Sequence, residues 1–197
     1  MTRNPENNPA SELRFDLVSK DWVVIATGRA KRPESFAQNQ RFKEEAPNER
    51  CPFCSLETQV SPVLEYGSKE NGWEVAVVPN KFPAFSQSGA LHERAEGPYS
   101  LMDGVGFHEV VITRDHQKSL AQLSPENIRR VLDAYQERYL ALSNEKLVNY
   151  VSIFHNHGRE AGASISHPHS QIIALPVTDP DLNRSLAGSR LFWETQG

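Results

Sequence analysis

Cysteine is almost absent from this chain: there are two in 197 residues, placed three apart as Cys51-Pro52-Phe53-Cys54. Two cysteines cannot build the disulfide framework of a small secreted scaffold. At this spacing they could close a strained redox disulfide, pack as two small apolar residues, or supply half of a tetrahedral metal site that needs two more ligands. Long apolar runs are also lacking. No stretch approaches the ~20 residues of a membrane-spanning helix, so a membrane is not an expected partner. The opening Met1-Thr2-Arg3-Asn4-Pro5-Glu6-Asn7-Asn8-Pro9 has no apolar core of the kind a secretion signal carries, and the expected compartment is the cytoplasm. Charge of one sign is not in excess either. With 21 Lys and Arg against 25 Asp and Glu the formal charge is −4, which gives no electrostatic reason to expect nucleic acid as a partner. No internal repeat or low-complexity block is present.

What remains is an ordinary globular composition, long enough to bury a substantial core. Residues 1–11 are polar and proline-containing and read as a flexible N-terminus, and residues 12–197 read as the folded part. Strands are expected at Trp22 to Ala26, Trp73 to Val78, Phe107 to Thr113, Tyr150 to Phe154 and Ile172 to Val177, from runs of β-branched and aromatic residues. The turn Asp16 to Asp21 leads into the first of them, and the charged segment from Gln38 to Arg50 reads as an exposed loop. One helix is clear. Ser124 is a good N-cap, Pro125 suits the first helical position, Glu126 complements the helix dipole, and Ile128, Val131, Leu132, Tyr135, Tyr139 and Leu142 mark an apolar stripe. The opposite face, with Arg130, Asp133 and Glu137, reads as solvated. The stretch from Ser86 to Gly106 is rich in glycine and polar residues and is expected as a long loop. Residues from Asp179 to Gly197 look partly helical. Strands joined by short or irregular connections around one long helix predict an α+β domain with an antiparallel sheet rather than a doubly wound parallel one.

The chemistry concentrates in Ser166-His167-Pro168-His169-Ser170-Gln171. Two imidazoles one residue apart, followed by a hydroxyl and an amide, bring a nucleophile or metal ligand together with hydrogen-bond donors for an oxyanion. Upstream lies His155-Asn156-His157-Gly158-Arg159-Glu160-Ala161-Gly162-Ala163-Ser164, whose glycines permit close approach of backbone N–H groups to a ligand. The basic loop Arg29-Ala30-Lys31-Arg32 is either solvated surface or a phosphate clamp. Asn80 and Phe82, between Pro79 and Pro83, could hold a base or close a core edge.

Taken in order, Arg29-Ala30-Lys31-Arg32-Pro33, Cys51-Pro52-Phe53-Cys54, Pro79-Asn80-Lys81-Phe82-Pro83, Asp115-His116, Asn156-x-Gly158, Gly162-Ala163-Ser164 and His167-Pro168-His169-Ser170-Gln171 resemble the N-terminal half of galactose-1-phosphate uridylyltransferases, of the histidine-triad superfamily. The likeness covers residues from about 12 to the end, so 12–197 is expected to be one N-terminal-like, histidine-triad-like domain without the family's second half. It implies a nucleotidyltransferase moving UMP between UDP-glucose and galactose 1-phosphate, with His169 as the nucleophile and Gln171 on a phosphate oxygen. It further implies that Arg29, Arg32, Asn80, Phe82, Asn156, Gly162, Ser164 and Ser170 contact substrate. Cys51, Cys54, His116 and His167 would hold a structural zinc ion (Zn2+). The implied partners are a nucleotide-sugar and a sugar 1-phosphate, with a homodimer as the implied assembly. His108, His155 and His157 match no ligand position and read as surface or supporting residues; His92 lies in a polar stretch and has no expected role. Lys81 stands where strictly uridine-specific members tend to carry an acidic residue, and Ser170 with Gly162-Ala163-Ser164 also resembles adenylyl-sugar phosphorylases. An ADP-sugar or dinucleotide phosphorylase, or a zinc-stabilised nucleotide-binding module without turnover, is the alternative reading.

Overall fold

The computed structural model describes residues 11–26, 51–56, 61–68, 72–87, 90–158, 160–163 and 165–197. In chain order its elements are β1 (Glu12–Phe15), β2 (Trp22–Ile25), β3 (Leu64–Ser68), β4 (Gly72–Pro79), β5 (Glu93–Glu96), β6 (Tyr99–Asp103), β7 (Phe107–Thr113), α1 (Pro125–Ser143), β8 (Tyr150–Phe154), β9 (His169–Leu175) and α2 (Pro180–Gln196). Among the described residues, β3-β4-β7-β9-β8 form one sheet and β2-β1-β6-β5 another. Every pairing in both is antiparallel. This is the α+β, antiparallel architecture expected. No helix among the described residues is long and apolar enough to cross a membrane.

Alternation along the central strands decides what each face of the larger sheet buries. From β7, Val111 joins Val75, Val77, Ile172 and Ala174 in a cluster with Val131, Ala134 and Leu142 of α1. Its neighbours Val110 and Ile112 point the other way, into a cluster with Cys51, Phe53, Trp73, Ala76 and Val78. The smaller sheet closes that second face further along, where Ile173 and Leu175 pack against a cluster of Leu13, Ala84, Phe85 and Met102. Both faces of the five-stranded sheet therefore carry apolar packing. Each fully buried aliphatic side chain there, such as Ile112 or Ile172, contributes about 1.5–3 kcal/mol.

Helix α1 starts as expected: Ser124 Oγ accepts the Asn127 N–H at 3.2 Å, and Pro125 opens the first turn. Its apolar stripe is rotated from the expected one. Val131, Ala134 and Leu142 are buried, whereas Leu132 and Tyr139 are 57% and 48% exposed. The cause is Arg138, one turn beyond Ala134, which reaches inward to Glu109 and takes a position that periodicity would reserve for an apolar residue. Arg130, expected to be solvated, instead pairs with Glu74 across to β4 and with Glu126 on its own helix.

The expected loop from Ser86 to Gly106 is a correction. It contains the β5–β6 hairpin, turned at Gly97 with φ 61°. Glu93–Glu96 has no apolar alternation because it is an edge strand, and β6 is held instead by pairing with β1 and by burial of Leu101 and Met102. Strand β9 begins three residues before the expected Ile172, so His169 lies within the sheet. Ser11, assigned by sequence to the N-terminal tail, is buried, and its carbonyl accepts the Gly104 N–H at 2.9 Å. Helix α2 is capped by Asp179, which accepts the N–H groups of Asp181 and Leu182, and it buries none of its residues.

Candidate active site

The two histidines of the His-Pro-His run are in different environments. His167 is fully buried and donates from Nε2 to the Thr113 carbonyl at 2.7 Å, which leaves Nδ1 as the nitrogen carrying the lone pair. Burial pushes this imidazole down to about 4, so it is neutral near pH 7. His169, the first residue of β9, donates from Nδ1 to the His167 carbonyl at 2.9 Å. That bond makes Nε2 the basic nitrogen of His169, and the residue lines a cleft of about 570 Å3. The Phe53 ring packs on both imidazoles, its centroid 5.7 Å from that of His167 and 5.1 Å from that of His169.

Behind the cleft, Cys51, Cys54, His116 and His167 offer ligand atoms that all lie within 4.8 Å of one another. His167 Nδ1 is 3.6 Å from both sulfurs, and His116 Nδ1 is 3.0 Å from Cys54 Sγ. A tetrahedral centre with bonds of ~2.3 Å to sulfur and ~2.0 Å to nitrogen places S and N about 3.5 Å apart. The arrangement fits a metal. Thr113 fixes the His167 tautomer as an outer-shell acceptor would for a metal-bound imidazole. The four residues come from the loop before β3, the segment after β7 and the lead into β9, so a metal there would bind three distant parts of the chain together.

The cleft is also lined by His155, Asn156, His157 and Gly158 and by Gln117 and Lys118. Gly158 and Gly162 have φ values of 78° and 81°, which favours glycine at both. Gln171 shares the His169 face of β9, two residues along. Asn80 and Phe82 follow β4, where Asn80 Nδ2 lies 3.0 Å from His108 Nε2 and Asn80 Oδ1 accepts the Phe82 N–H at 2.9 Å. Arg29, Arg32 and Ser164 lie outside the described residues.

Ser170, assigned by sequence to the substrate contacts, lies on the opposite face of β9 from His169. The residue is 2% exposed, and its hydroxyl is in contact with Tyr135 of α1 at 2.5 Å and with His155 Nδ1 at 3.0 Å. Of these two partners, His155 lines the cleft. Burial, and then the neighbouring His157, hold His155 below the ordinary imidazole range. His108 is another residue that motif reading passed over. It is 2% exposed and makes contact with Gln171, Asn80 and the Ala84 backbone. Its position in β7, in step with Val110 and Ile112, was a readable signal that it faces inward.

Fold and site together define a His-Pro-His domain in which one histidine belongs to a cysteine–histidine cluster and the other is presented to a cleft. Comparison with known proteins gives the family. The description "Galactose-1-phosphate uridyl transferase, N-terminal domain" matches residues 2–178, and the chain belongs to this family. It is similar to the ADP-glucose phosphorylase of Arabidopsis thaliana, with 34% identity over 195 residues covering 96% of this chain and 56% of the relative. It is 26% identical to the galactose-1-phosphate uridylyltransferase of Thermotoga maritima over 185 residues, covering 93% and 52%. Among solved structures, a uridylyltransferase superposes with a TM-score of 0.69 at 28% identity, covering 94% of this chain and 52% of that one. The Arabidopsis ADP-glucose phosphorylase with bound ADP-glucose gives a TM-score of 0.62 at 31% identity, covering 94% and 55%. The chain thus spans about half the length of these relatives.

Proposed function

We propose that this domain carries out nucleotidyl transfer through a covalent nucleotidyl-histidine at His169, moving UMP between UDP-glucose and galactose 1-phosphate. His169 Nε2 attacks the α-phosphorus of the nucleotide-sugar. A P–N bond forms, the P–O bond to the sugar phosphate breaks, and a sugar 1-phosphate leaves with the bond electrons. A phosphate oxygen of the acceptor then attacks the same phosphorus, and the P–N bond breaks to return His169. The observation that carries this reading is the Nδ1–H bond from His169 to the His167 carbonyl, which leaves Nε2 basic at the cleft. The same bond orients the ring through both steps and stabilises the cationic imidazole of the intermediate.

Gln171 serves as a donor to a non-bridging phosphate oxygen, where charge builds in the transition state. Asn80, Phe82, Asn156 and Gly162 serve the nucleoside and diphosphate, with Arg29, Arg32 and Ser164 in the same role. The metal is zinc, held by Cys51, Cys54, His116 and His167. Two thiolates and two imidazoles leave no ligand position for substrate, which makes it structural. The acceptor pocket would draw on the family's second half and on a neighbouring subunit in a homodimer.

A second reading has its own support: an ADP-sugar phosphorylase using inorganic phosphate as acceptor. The Arabidopsis phosphorylase is 34% identical across 96% of this chain, and Lys81 follows Asn80. Assaying UDP-glucose and ADP-glucose as donors, each with galactose 1-phosphate or phosphate as acceptor, separates the two. Product from UDP-glucose with galactose 1-phosphate alone supports the first reading; product from ADP-glucose with phosphate alone replaces it with the second.

A further inference from the structure

His108 sits on β7 between two amides that the proposed function assigns to substrate, Gln171 for the phosphate and Asn80 for the nucleoside. Its ring is almost wholly enclosed, and each nitrogen has a defined neighbour. Nδ1 accepts the Ala84 backbone N–H at 3.1 Å. Nε2 lies 2.9 Å from Gln171 Oε1 and 3.0 Å from Asn80 Nδ2. A backbone N–H can only donate, so Nδ1 must present its lone pair, and in the neutral ring the proton is on Nε2. Of the two neighbours only Gln171 Oε1 can accept that proton, because Asn80 Nδ2 is itself a donor and its approach to Nε2 is not a hydrogen bond. The Gln171 carbonyl end is thereby held inward and its NH2 end turned away from His108.

A glutamine amide has two orientations of nearly equal shape. One offers N–H to a phosphate oxygen; the other would set a carbonyl oxygen against it. Asn80 has its own orientation fixed independently, because its Oδ1 accepts the Phe82 N–H. Among the described residues Gln171 makes no such bond to backbone, and the imidazole is what distinguishes its two ends. We propose that His108 is a positioning residue: the Ala84 N–H sets its tautomer, and the tautomer sets the Gln171 amide with its N–H directed to the transferring phosphoryl group. The proposal rests on the reading of Gln171 and His169 given above.

Two substitutions separate this role from simple packing. An asparagine places its carbonyl oxygen near the former Nδ1, so His108→Asn keeps an acceptor for Ala84 and loses the donor to Gln171. A glutamine places its amide nitrogen near the former Nε2, so His108→Gln keeps the donor. The readout is the single-turnover rate at which a radiolabelled nucleotide-sugar labels the protein, alongside the Kd of that nucleotide-sugar. Removing a transition-state donor costs ~10²–10³-fold in rate, and misorienting one is expected to cost ~10–10²-fold. His108→Asn should show that loss with Kd shifted less than ~3-fold, and His108→Gln should recover most of it. In a His108→Asn/Gln171→Ala double variant the loss should equal that of Gln171→Ala alone, since the two act through one bond.

Equal losses in His108→Asn and His108→Gln would overturn the proposal, as would additive losses in the double variant. A measurement independent of turnover keeps it distinct from the covalent mechanism. Nitrogen-15 NMR of the imidazole should find Nε2 protonated and Nδ1 bare, with the Gln171 amide protons shifted in His108→Asn and not in His108→Gln. The opposite tautomer refutes the positioning role even if labelling succeeds. Absence of labelling in the unmodified protein refutes the covalent reading, while the NMR result still decides whether His108 orients Gln171.

Discussion

Arg138→Met is expected to destabilise the fold by about 3 kcal/mol. Glu109 lies on the α1 face of β7 at 2% exposure, and Arg138 meets both its oxygens, Nε to Oε2 at 2.8 Å and Nη2 to Oε1 at 2.7 Å. This is a bidentate, charge-assisted pair, and methionine would leave its carboxylate buried without a cation. Breaking such a pair costs ~3–5 kcal/mol. The lower end applies because Arg138 is itself 18% exposed, so water can approach once the side chain is shortened. For a domain of this size about 3 kcal/mol corresponds to a melting temperature lowered by ~6–12 °C. Guanidinium unfolding followed by tryptophan fluorescence and by circular dichroism, with coincident transitions, gives the free energy directly. The Glu109→Leu/Arg138→Met double variant should recover most of the loss, because the cost lies in the stranded charge and not in missing contact. A single variant within about 0.5 kcal/mol of the parent protein, or a double variant as unstable as the single one, would refute the reasoning.

His167→Ala should abolish metal binding by the cysteine–histidine cluster and lower the melting temperature, whereas His169→Gly should leave both as in the parent protein; elemental analysis and thermal melts check this, and equal loss of metal in both would contradict the division of labour. The His155 imidazole should titrate below the ordinary value of 6.5, since burial and His157 oppose its charge. An unfolded chain then binds more protons than the folded one below that value, so the stability this residue contributes is present above it and is lost as pH falls through the folded pKa. An NMR titration with its midpoint above 6.5 would contradict the burial argument. Tyr135→Phe removes one of the two partners of the buried Ser170 hydroxyl and is expected to cost ~1 kcal/mol in chemical unfolding; an unchanged midpoint would show that the contact adds nothing.

Much of the domain could be read from the sequence where local signals and tertiary demands coincide. The Ser124-Pro125 start of α1 and the apolar runs of β7 and β8 are of this kind. The cluster of Cys51, Cys54, His116 and His167 was legible through family resemblance, since nothing in their spacing alone links residues more than a hundred positions apart. The β5–β6 hairpin was not legible, because Glu93–Glu96 is a polar edge strand that depends on its partner and not on its own composition. The inward placement of Arg138 was hidden for a different reason: a charged residue on the inward face of a helix needs its partner Glu109 to explain it. Ser170 shows the limit of motif proximity. Adjacent residues on a strand point to opposite faces, so its place next to His169 in sequence sets it apart from His169 in space. His108 illustrates the converse, being distant from Gln171 in sequence and bonded to it across the sheet.

The central claim is that His169 Nε2 becomes bonded to phosphorus. Incubating the protein with UDP-glucose or ADP-glucose labelled at the α-phosphate, stopping the reaction under alkaline denaturing conditions and mapping the labelled peptide by mass spectrometry tests it directly. The account predicts an acid-labile label on His169, absent from His169→Gly and released when an acceptor phosphate is supplied. Protein that remains unlabelled by either nucleotide-sugar while retaining its fold, or a label on another residue, would contradict it.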